Sequence, residues 1–375
     1  MILSESHIAI QEAARRFARE RIAPFAPDWD RDHHYPQEVV AEMGKLGFLG
    51  MMVPEDYGGS AAGVLALALV LEEISAGDGA CAAITSVHNS AVSVPICTFA
   101  NHTQKQEILP KLASGEWIGG FALTEPHAGS DASAIRTRAV REGETYRLNG
   151  VKQFITSGKT GHLILAFAVT NADASKRGIS AFMVPTTSPG YRVRRVETKM
   201  GQHASDTCEI GFEDVLVPAS MRLGEEGEGY KIALSALECG RIGIAAQAIG
   251  MARAAFEHAT DYAKERIAFG KPIIEHQAVA FRLADMATKV EAARQLMLHA
   301  ASLRDTGAPC LTEAAMAKLF ATEIAEEVAS AAVQTFGGAG YIVGSPVERI
   351  YRDVRACQIY EGTSDIQKLL IARNL

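Results

Sequence analysis

Glu361 is the residue that most needs a chemical explanation. It stands in IYEGTSDIQ (residues 359–367), between the apolar pair Ile359 and Tyr360 and the start of a helix. Thr363 or Ser364 can cap that helix, and Ile366, Leu369 and Leu370 follow at helical spacing. A helix N-terminus favours anions because its first N–H groups lack intrahelical partners. One reading of Glu361 is thus an acid that helps the helix start; the other is a carboxylate placed to move a proton.

Other sites with chemical potential are fewer than they first look. SGKT at 157–160 suggests a phosphate loop, but Gln153 occupies the place where the first glycine belongs. GGAG at 337–340 lacks the third glycine of a dinucleotide fingerprint and follows a helix rather than a strand. DRDHH at 30–34 reads as a solvated charged loop rather than a metal site, and no metal is expected. There is no HExxH and no GxSxG. Four polar loops remain: FALTEPHAGSD (121–131), KQFITSG (152–158), RIAFGKPIIEHQ (266–277) and QTFGGAGY (334–341). Each alone reads as a turn or a cap.

The elements that must position these loops divide the chain in three. Up to about residue 118 the pattern is helical. Ile10, Ala13 and Phe17 mark one face of a first helix, and Pro36 opens another through Leu46. AAGVLALALVLEEIS and AAITSVHNSAVSVPICTFA read as buried small-residue helices, and Thr103 with Gln106 forms a capping-box pattern. From Trp117 to about Pro218 the period is two. ETYRLNGVKQFIT reads as a hairpin turning at Asn149-Gly150, and HLILAFAVT, ISAFMVP, YRVRRVE and CEIGFEDVLVP read as further strands of a sandwich or barrel. After Gly229 the helical period returns in three series: Ile242–Ala263, Val279–Met297, and Ala317, Phe320, Ile324, Val328, Ala331. With the helix after Glu361 they make a four-helix bundle. The expected fold is α+β, with a helical domain at 1–118, a β domain at 119–222 and a helical bundle at 223–375.

Bulk properties narrow the class. The chain has 375 residues, is 48% hydrophobic and carries 37 basic against 44 acidic residues, a net −7. No basic run is long enough for a nucleic-acid surface. The six cysteines are scattered with no CxxC, which disfavours disulfide and zinc frameworks and suits a reducing compartment. The first helix contains acids and lacks a signal-peptide core, and no apolar run of 18 residues stands out. A cytoplasmic protein with no membrane insertion is expected.

Taken together and in order, LTEPHAGSD, QFITSG, LECGRIGIAAQAIG, RIAFGKPI, HQ, QTFGGAGY, RDVRACQIYEGTSDIQ and the terminal IAR resemble the acyl-CoA dehydrogenase family along essentially the whole chain, most closely its short-chain, butyryl-type members. The resemblance implies FAD at the contact of the β domain with the bundle. It places Phe121, Leu123, Thr124, Ser130, Phe154, Ile155 and Thr156 around the flavin. It assigns Arg266, Phe269, Gln277, Gln334, Gly337 and Gly338 to the pyrophosphate and adenosine, some of them from a neighbouring subunit of a homotetramer built as a dimer of dimers. Thr363 and Asp365 complete the flavin site, and Ser130, Glu238, Arg241, Gly362 and Arg373 serve acyl-CoA. Two departures from the family pattern are Phe154, often Trp, and His127, commonly Gly or Asn, which stands toward the CoA entrance.

The resemblance also answers the question that Glu361 raises. It makes Glu361 the base that removes the α-proton of the thioester, its backbone N–H helping to hold the carbonyl oxygen, while a hydride leaves the β-carbon. The product is the trans-2-enoyl-CoA, and the electrons go to an electron-transferring flavoprotein. Ala82, Ala83, Ile84, Val87 and Leu237 are the expected acyl pocket. The absence of Arg from CAAITSVHNS argues against dicarboxylyl substrates. A branched-chain dehydrogenase, an acyl-CoA oxidase and, more distantly, a flavin-free CoA-binding scaffold are the alternatives. In some relatives the base lies directly before the equivalent of Arg241, a place that Gly240 holds here.

Overall fold

Helices occupy the chain on both sides of one run of strands. The computed structural model describes residues 3–375. Seven helices come first: α1 (Glu5–Phe17), α2 (Ala26–Asp32), α3 (Gln37–Lys45), α4 (Gly63–Gly77), α5 (Gly79–Ser86), α6 (Val94–Phe99) and α7 (His102–Ala113). Strands β1 (Gly119–Ala122), β2 (Arg138–Glu142), β3 (Thr145–Thr156), β4 (Leu163–Val169), β5 (Ile179–Pro185), β6 (Tyr191–Val196), β7 (Thr207–Pro218) and β8 (Arg222–Leu223) follow. Helices α8 (Gly229–Glu265), α9 (Gln277–Asp305), α10 (Leu311–Phe336), α11 (Pro346–Val354) and α12 (Ser364–Ala372) complete the chain, with a small hairpin of β9 (Ile267–Ala268) and β10 (Lys271–Pro272) after α8.

The eight strands form one mixed sheet in the order β6-β7-β3-β2-β4-β5-β8, with β1 parallel to β4. Strands β4 and β5 are buried along almost their whole length on both faces. That is why they read as continuous apolar runs rather than as alternation. One face closes over Tyr146, Phe182, Phe212 and Ile210. The other packs Leu165, Phe167 and Met183 against α6, α7 and the first turns of α8.

Helices from before and after the sheet share a single core, in which α4 lies against α8 and α9. Helix α4 is buried along almost its whole length, and its N-terminal N–H groups at Val64 and Leu65 donate to Asp305 at the end of α9. Its two acids, Glu72 and Glu73, are buried and paired with Arg294, Arg253 and Arg15 from α9, α8 and α1. Removing one member of such a cluster leaves an uncompensated buried charge. Helices α4 and α8 approach closely at Gly250, where a Cβ would collide with the Glu72 carbonyl oxygen and the Ser75 hydroxyl.

Several expectations change. ETYRLNGVKQFIT is one strand, β3, paired with β2 on one side and β7 on the other. The hairpin turn lies between Glu142 and Thr145 instead, because Asn149 is occupied in a bulge, exchanging hydrogen bonds with Asp214 at 2.9 and 3.0 Å. Helix α1 buries Gln11, Ala14 and Phe17, and Ala13 is exposed, because α1 turns the Gln11 side toward α4, where Gln11 and Arg15 meet Glu73. The capping box is Asn101 with Gln104, since the shorter amide side chain of Asn101 reaches the Gln104 N–H while Gln104 reaches back. Phe320 sits at the rim of α10 and is 37% exposed, Ala321 taking the core position. Helices α2 and α11 were not foreseen, because each is short and carried mainly by charged residues, Asp30 of one meeting Arg352 of the other at 2.6 Å.

Two stretches, Gly79–Phe99 and Gly229–Glu265, prove long and apolar enough to cross a membrane, with mean hydropathies of 1.2 and 1.3. They are 83% and 78% buried within the protein over those windows, so their apolar character serves the core.

The Gly250 contact gives a direct test. Gly250→Ala should force α4 and α8 apart at a cost of about 1–3 kcal/mol. Thermal unfolding should show an apparent midpoint several degrees lower, and an unchanged midpoint would mean that the helices separate freely.

Candidate active site

Where the sheet meets the helices there is a cavity of about 570 Å³. Four parts of the chain bring residues to it. The end of β1 supplies Phe121, with Leu123 and Thr124 just beyond, and the following loop adds Ser130. The end of β3 supplies Phe154, Ile155 and Thr156. Helix α8 contributes Leu234, Leu237, Arg241 and Ile244, one face stepping by three and four. Tyr360, Glu361 and Gly362 close the far side, and α12 adds Ile366, Leu369, Leu370 and Arg373.

The sheet-side wall depends on two local features. The register of β3 against β7 shifts between Lys152 and Ile155, and Phe154 there has a φ of 60°. A bulge of this kind re-aims a side chain, and Phe154 is 60% exposed to the cavity side as a result. The loop after β1 is held from below by a fully buried lysine. Lys152 donates to the Leu123 carbonyl at 3.1 Å and to Glu125 at 2.8 Å, and Glu125 accepts from the N–H groups of Arg136 and Thr137. The hydroxyls of Thr124, Ser130 and Thr156 have no hydrogen-bond partner in the protein among the described residues. A wall of apolar side chains edged by unpaired hydroxyls suits a ligand with an apolar body and a few polar atoms.

Glu361 faces that wall from the helical side. It takes a φ of 55°, and Gly362 one of 91°. Such a conformation costs a non-glycine residue on the order of 1 kcal/mol, so the surroundings must hold it. Lys318 of α10 donates to the Gly362 carbonyl at 2.7 Å, and Gln367 of α12 donates to the same oxygen at 2.8 Å and to the Glu361 carbonyl at 3.2 Å. Helix α8 makes room for the carboxylate. A Cβ on Gly240 would lie 2.8 Å from the Glu361 carboxyl carbon. Glu361 Oε2 is buried with no hydrogen-bond partner, and the Glu361 N–H has no acceptor in the protein among the described residues. Burial pushes the carboxyl from 4.5 up to about 7, against the pull of the positive charges on Arg241 and Lys318.

Of the residues singled out from the sequence, Phe121, Leu123, Thr124, Ser130, Phe154, Ile155, Thr156, Arg241, Glu361, Gly362 and Arg373 line this one cavity. Thr363 caps α12 through the Ile366 N–H, and Asp365 is exposed in its first turn; neither lines the cavity. Glu238 points off the lining face of α8 and pairs with Arg304 at 3.1 Å. His127 is exposed, with Nε2 3.5 Å from Glu125. The expected acyl pocket is partly corrected. Ala83, Val87 and Leu237 line the cavity, but Ala82 and Ile84 are fully buried in the helical core, because α5 turns only every third or fourth residue toward the space.

Arg266, Phe269, Gln277, Gln334, Gly337 and Gly338 form a second group elsewhere. All six are exposed, at the end of the bundle where Tyr262 of α8 stacks on Phe336 of α10. Arg266 lies about 37 Å along α8 from Arg241, at 1.5 Å per residue. Phe269, on the tip of the β9–β10 hairpin, is 96% exposed, and Tyr341 and Val343 nearby in sequence to Gly338 are 82% and 83% exposed.

Sequence reasoning missed Lys318, Gln367, Lys152 and Glu125. The signal for Lys318 was a lysine within the apolar stripe Ala314, Ala317, Ala321, Ala325. Nothing in the sequence marked Gln367.

Comparison with known proteins gives the same layout. The description "Acyl-CoA dehydrogenase, N-terminal domain" matches residues 4–116, the middle domain 120–215 and the C-terminal domain 227–375. The chain is 47% identical to an acyl-CoA dehydrogenase of Bacillus subtilis (strain 168) over 375 residues, covering 100% of this chain and 99% of the relative. It is 44% identical to the human mitochondrial short-chain specific acyl-CoA dehydrogenase, covering 100% and 90%. Among solved structures, butyryl-CoA dehydrogenase from Megasphaera elsdenii superposes with a TM-score of 0.98 at 40% identity, covering 100% and 99%. A chain solved in work on the electron transferring flavoprotein of Acidaminococcus fermentans gives 0.98 at 45%, covering 100% and 98%. A glutaryl-CoA dehydrogenase from Mycobacterium smegmatis, solved in complex with FADH2, gives 0.94 at 31%, covering 99% and 95%.

The raised Glu361 has a thermodynamic signature. A carboxyl whose folded pKa lies above its unfolded value stabilises the fold below the unfolded pKa and loses that contribution as pH rises through the folded one. Glu361→Gln removes the ionisation. Its stability relative to the parent should therefore grow between about pH 4.5 and 7, by as much as about 3 kcal/mol above that window. Denaturant unfolding of both proteins at pH 5 and pH 8 measures it, and a constant difference would mean that Glu361 titrates as an ordinary surface acid.

Proposed function

The chain belongs to the acyl-CoA dehydrogenase family, an FAD-dependent oxidoreductase family, and from that premise we propose that it dehydrogenates a short-chain acyl-CoA to the trans-2-enoyl-CoA with Glu361 as the base. The observation that carries this reading is the unpaired, buried carboxylate oxygen of Glu361, a residue that lines one cavity with Phe121, Leu123, Thr124, Phe154, Ile155 and Thr156.

FAD fits the residues present: its ring would lie on that wall, where the hydroxyls of Thr124 and Thr156 lack protein partners. When bound, FAD supplies the acceptor for the hydride from the β-carbon. The chain does the rest. The Glu361 N–H donates to the thioester carbonyl oxygen, which makes the α-hydrogen removable. The carboxylate takes that proton, and its pKa near 7 suits the task at neutral pH. Ala83, Val87, Leu237 and Ile244 give the acyl chain an apolar seat. Lys176 and Arg373 at the cavity bring positive charge for the phosphates of CoA, with Ser130 beside them.

None of the second group lines that cavity, and Arg266 lies about 37 Å along α8 from Arg241. We infer that Arg266, Phe269, Gln277, Gln334, Gly337 and Gly338 hold the pyrophosphate and adenosine of FAD bound to a neighbouring subunit in a homotetramer. The exposed Phe269, Tyr341 and Val343 support a buried interface there. A cytoplasmic location and delivery of electrons to an electron-transferring flavoprotein complete the proposal; the second is supported by the similarity to a chain studied with such a flavoprotein.

Glu361→Gln should keep FAD and bind acyl-CoA, but anaerobic flavin bleaching should slow by at least ~10²–10⁴, as expected on losing a general base. Bleaching at the parent rate would reduce Glu361 to a helix-start acid. The Gly240 contact extends the test. Glu361→Gly with Gly240→Glu puts a carboxylate beside the vacated space and should recover part of the rate, read across a panel of straight and branched acyl-CoAs. Arg266→Ala should cost about 1.5–3 kcal/mol of FAD binding and yield a substantially apo protein. Full flavin content with unchanged affinity would reject the interface placement. Turnover with an electron-transferring flavoprotein should far exceed peroxide formation in air; equal peroxide and enoyl-CoA without an added acceptor would make the protein an oxidase.

A further inference from the structure

Lys318 is a fully buried lysine that the chemistry above leaves unused. It has no carboxylate within ion-pair distance among the described residues, and its one hydrogen bond is to the Gly362 carbonyl. An unpaired buried ammonium is costly, so its retention in an alanine-rich helix face calls for a reason. That reason lies in the turn it touches. Glu361 and Gly362 are consecutive left-handed residues, and the carbonyls on both sides of Gly362 are held from outside the turn, by Lys318 from α10 and by Gln367 from α12. Without these donors the glutamate would relax toward a negative φ, and its carboxylate would leave the space that Gly240 opens.

We propose that Lys318 is a positioning residue for the base: its ammonium clamps the left-handed turn through the Gly362 carbonyl and, with Arg241, supplies the positive charge that favours the ionised carboxylate. The inference rests on Glu361 being the base. The groups around the carboxylate support a charge role. Helix α8 presents Arg241 and Cys239, α10 presents Lys318, and the segment before the turn presents Cys357 and Tyr360. Burial pushes both thiols up to about 12, and the Tyr360 hydroxyl is bound to Gln247, so these three stay neutral. Lys318 and Arg241 are then the charges that act on Glu361. Burial lowers Lys318 to about 8, still above the value of about 7 to which burial raises Glu361. Gln367 holds the same turn without charge, which lets the two roles be separated.

The experiment compares the FAD-loaded parent, Lys318→Met, Lys318→Arg, Gln367→Leu and Glu361→Gln. Two quantities are read from pH 5 to 9: the rate of anaerobic flavin bleaching by a short acyl-CoA, and the infrared carboxylic-acid band that Glu361→Gln removes. Lys318→Met should move the acid limb of the rate and the midpoint of the band upward together by roughly one unit, as for loss of a nearby opposite charge. At pH 6 that is about a tenfold slower reduction, with a smaller loss at pH 9. Lys318→Arg should keep the parent midpoint. Gln367→Leu should slow reduction at every pH without moving it. If Lys318→Met does not fold, Lys318→Gln takes its place, with the same shift expected. A parent-like midpoint in the neutral variants, with Glu361→Gln inactive, overturns the role of Lys318 alone. A Glu361→Gln variant that bleaches normally overturns the assignment of the base, and this inference with it.

Discussion

The carboxylate of Glu361 is taken out of water without being neutralised by a partner, and the arrangement around it turns on that constraint. A fully paired acid would be held ionised, and a solvated one would stay near its ordinary 4.5. The fold meets the condition by burying Glu361 between sheet and bundle, leaving Oε2 unpaired and setting two cations in the neighbourhood without a direct ion pair. Gly240 supplies the room, and a side chain there would collide with the carboxylate.

The site is an interface between layers, so its precision depends on how those layers are fastened. The helical core is continuous from α1 to α11, and α4 is anchored to α8 and α9 through Glu72, Glu73 and Asp305. The sheet is docked on the bundle through Gln202, whose N–H donates to the Asp353 carboxylate and whose amide reaches Tyr360, the residue beside Glu361. Burial pushes Asp353 up to about 7, although Arg349 opposes it. The opposite wall has its own fastening in the buried pair Lys152 and Glu125, which ties the loop after β1 to the start of β2. Both walls of the cavity are thus held by buried lysines acting on backbone carbonyls, Lys152 at Leu123 and Lys318 at Gly362.

Composition and motif order determined much of this. Continuous apolar runs located β4 and β5, which are buried on both faces, and period-three-to-four runs located α8, α9 and α10, because the faces a segment buries impose its apolar spacing. Ordered motifs brought Glu361, Arg241, Phe154 and the β1 loop to notice as one group. Local pattern did less well where two solutions compete locally. Asn149-Gly150 has the residues of a tight turn, yet the strand runs through, since Asn149 finds Asp214 across the sheet. Thr103 and Asn101 are both competent caps, and only the observed start of α7 chooses between them.

What the sequence by itself could not contain are relations between residues far apart in the chain. That a lysine at 318 meets a carbonyl at 362, that a glycine at 240 gives way to a carboxylate at 361, and that Glu238 turns to Arg304 rather than to the cavity are set by helix rotation and depth. The same holds for Arg266, whose motif placed it with the cofactor while the length of α8 removes it from the cavity of its own chain. Residue types and their periods determined which faces are buried, because the hydrophobic effect acts on each segment. Which partner each buried face meets, and how far a carboxylate thereby moves from its ordinary pKa, was decided only when the layers packed, because desolvation and Coulomb interactions depend on distances that no local pattern carries.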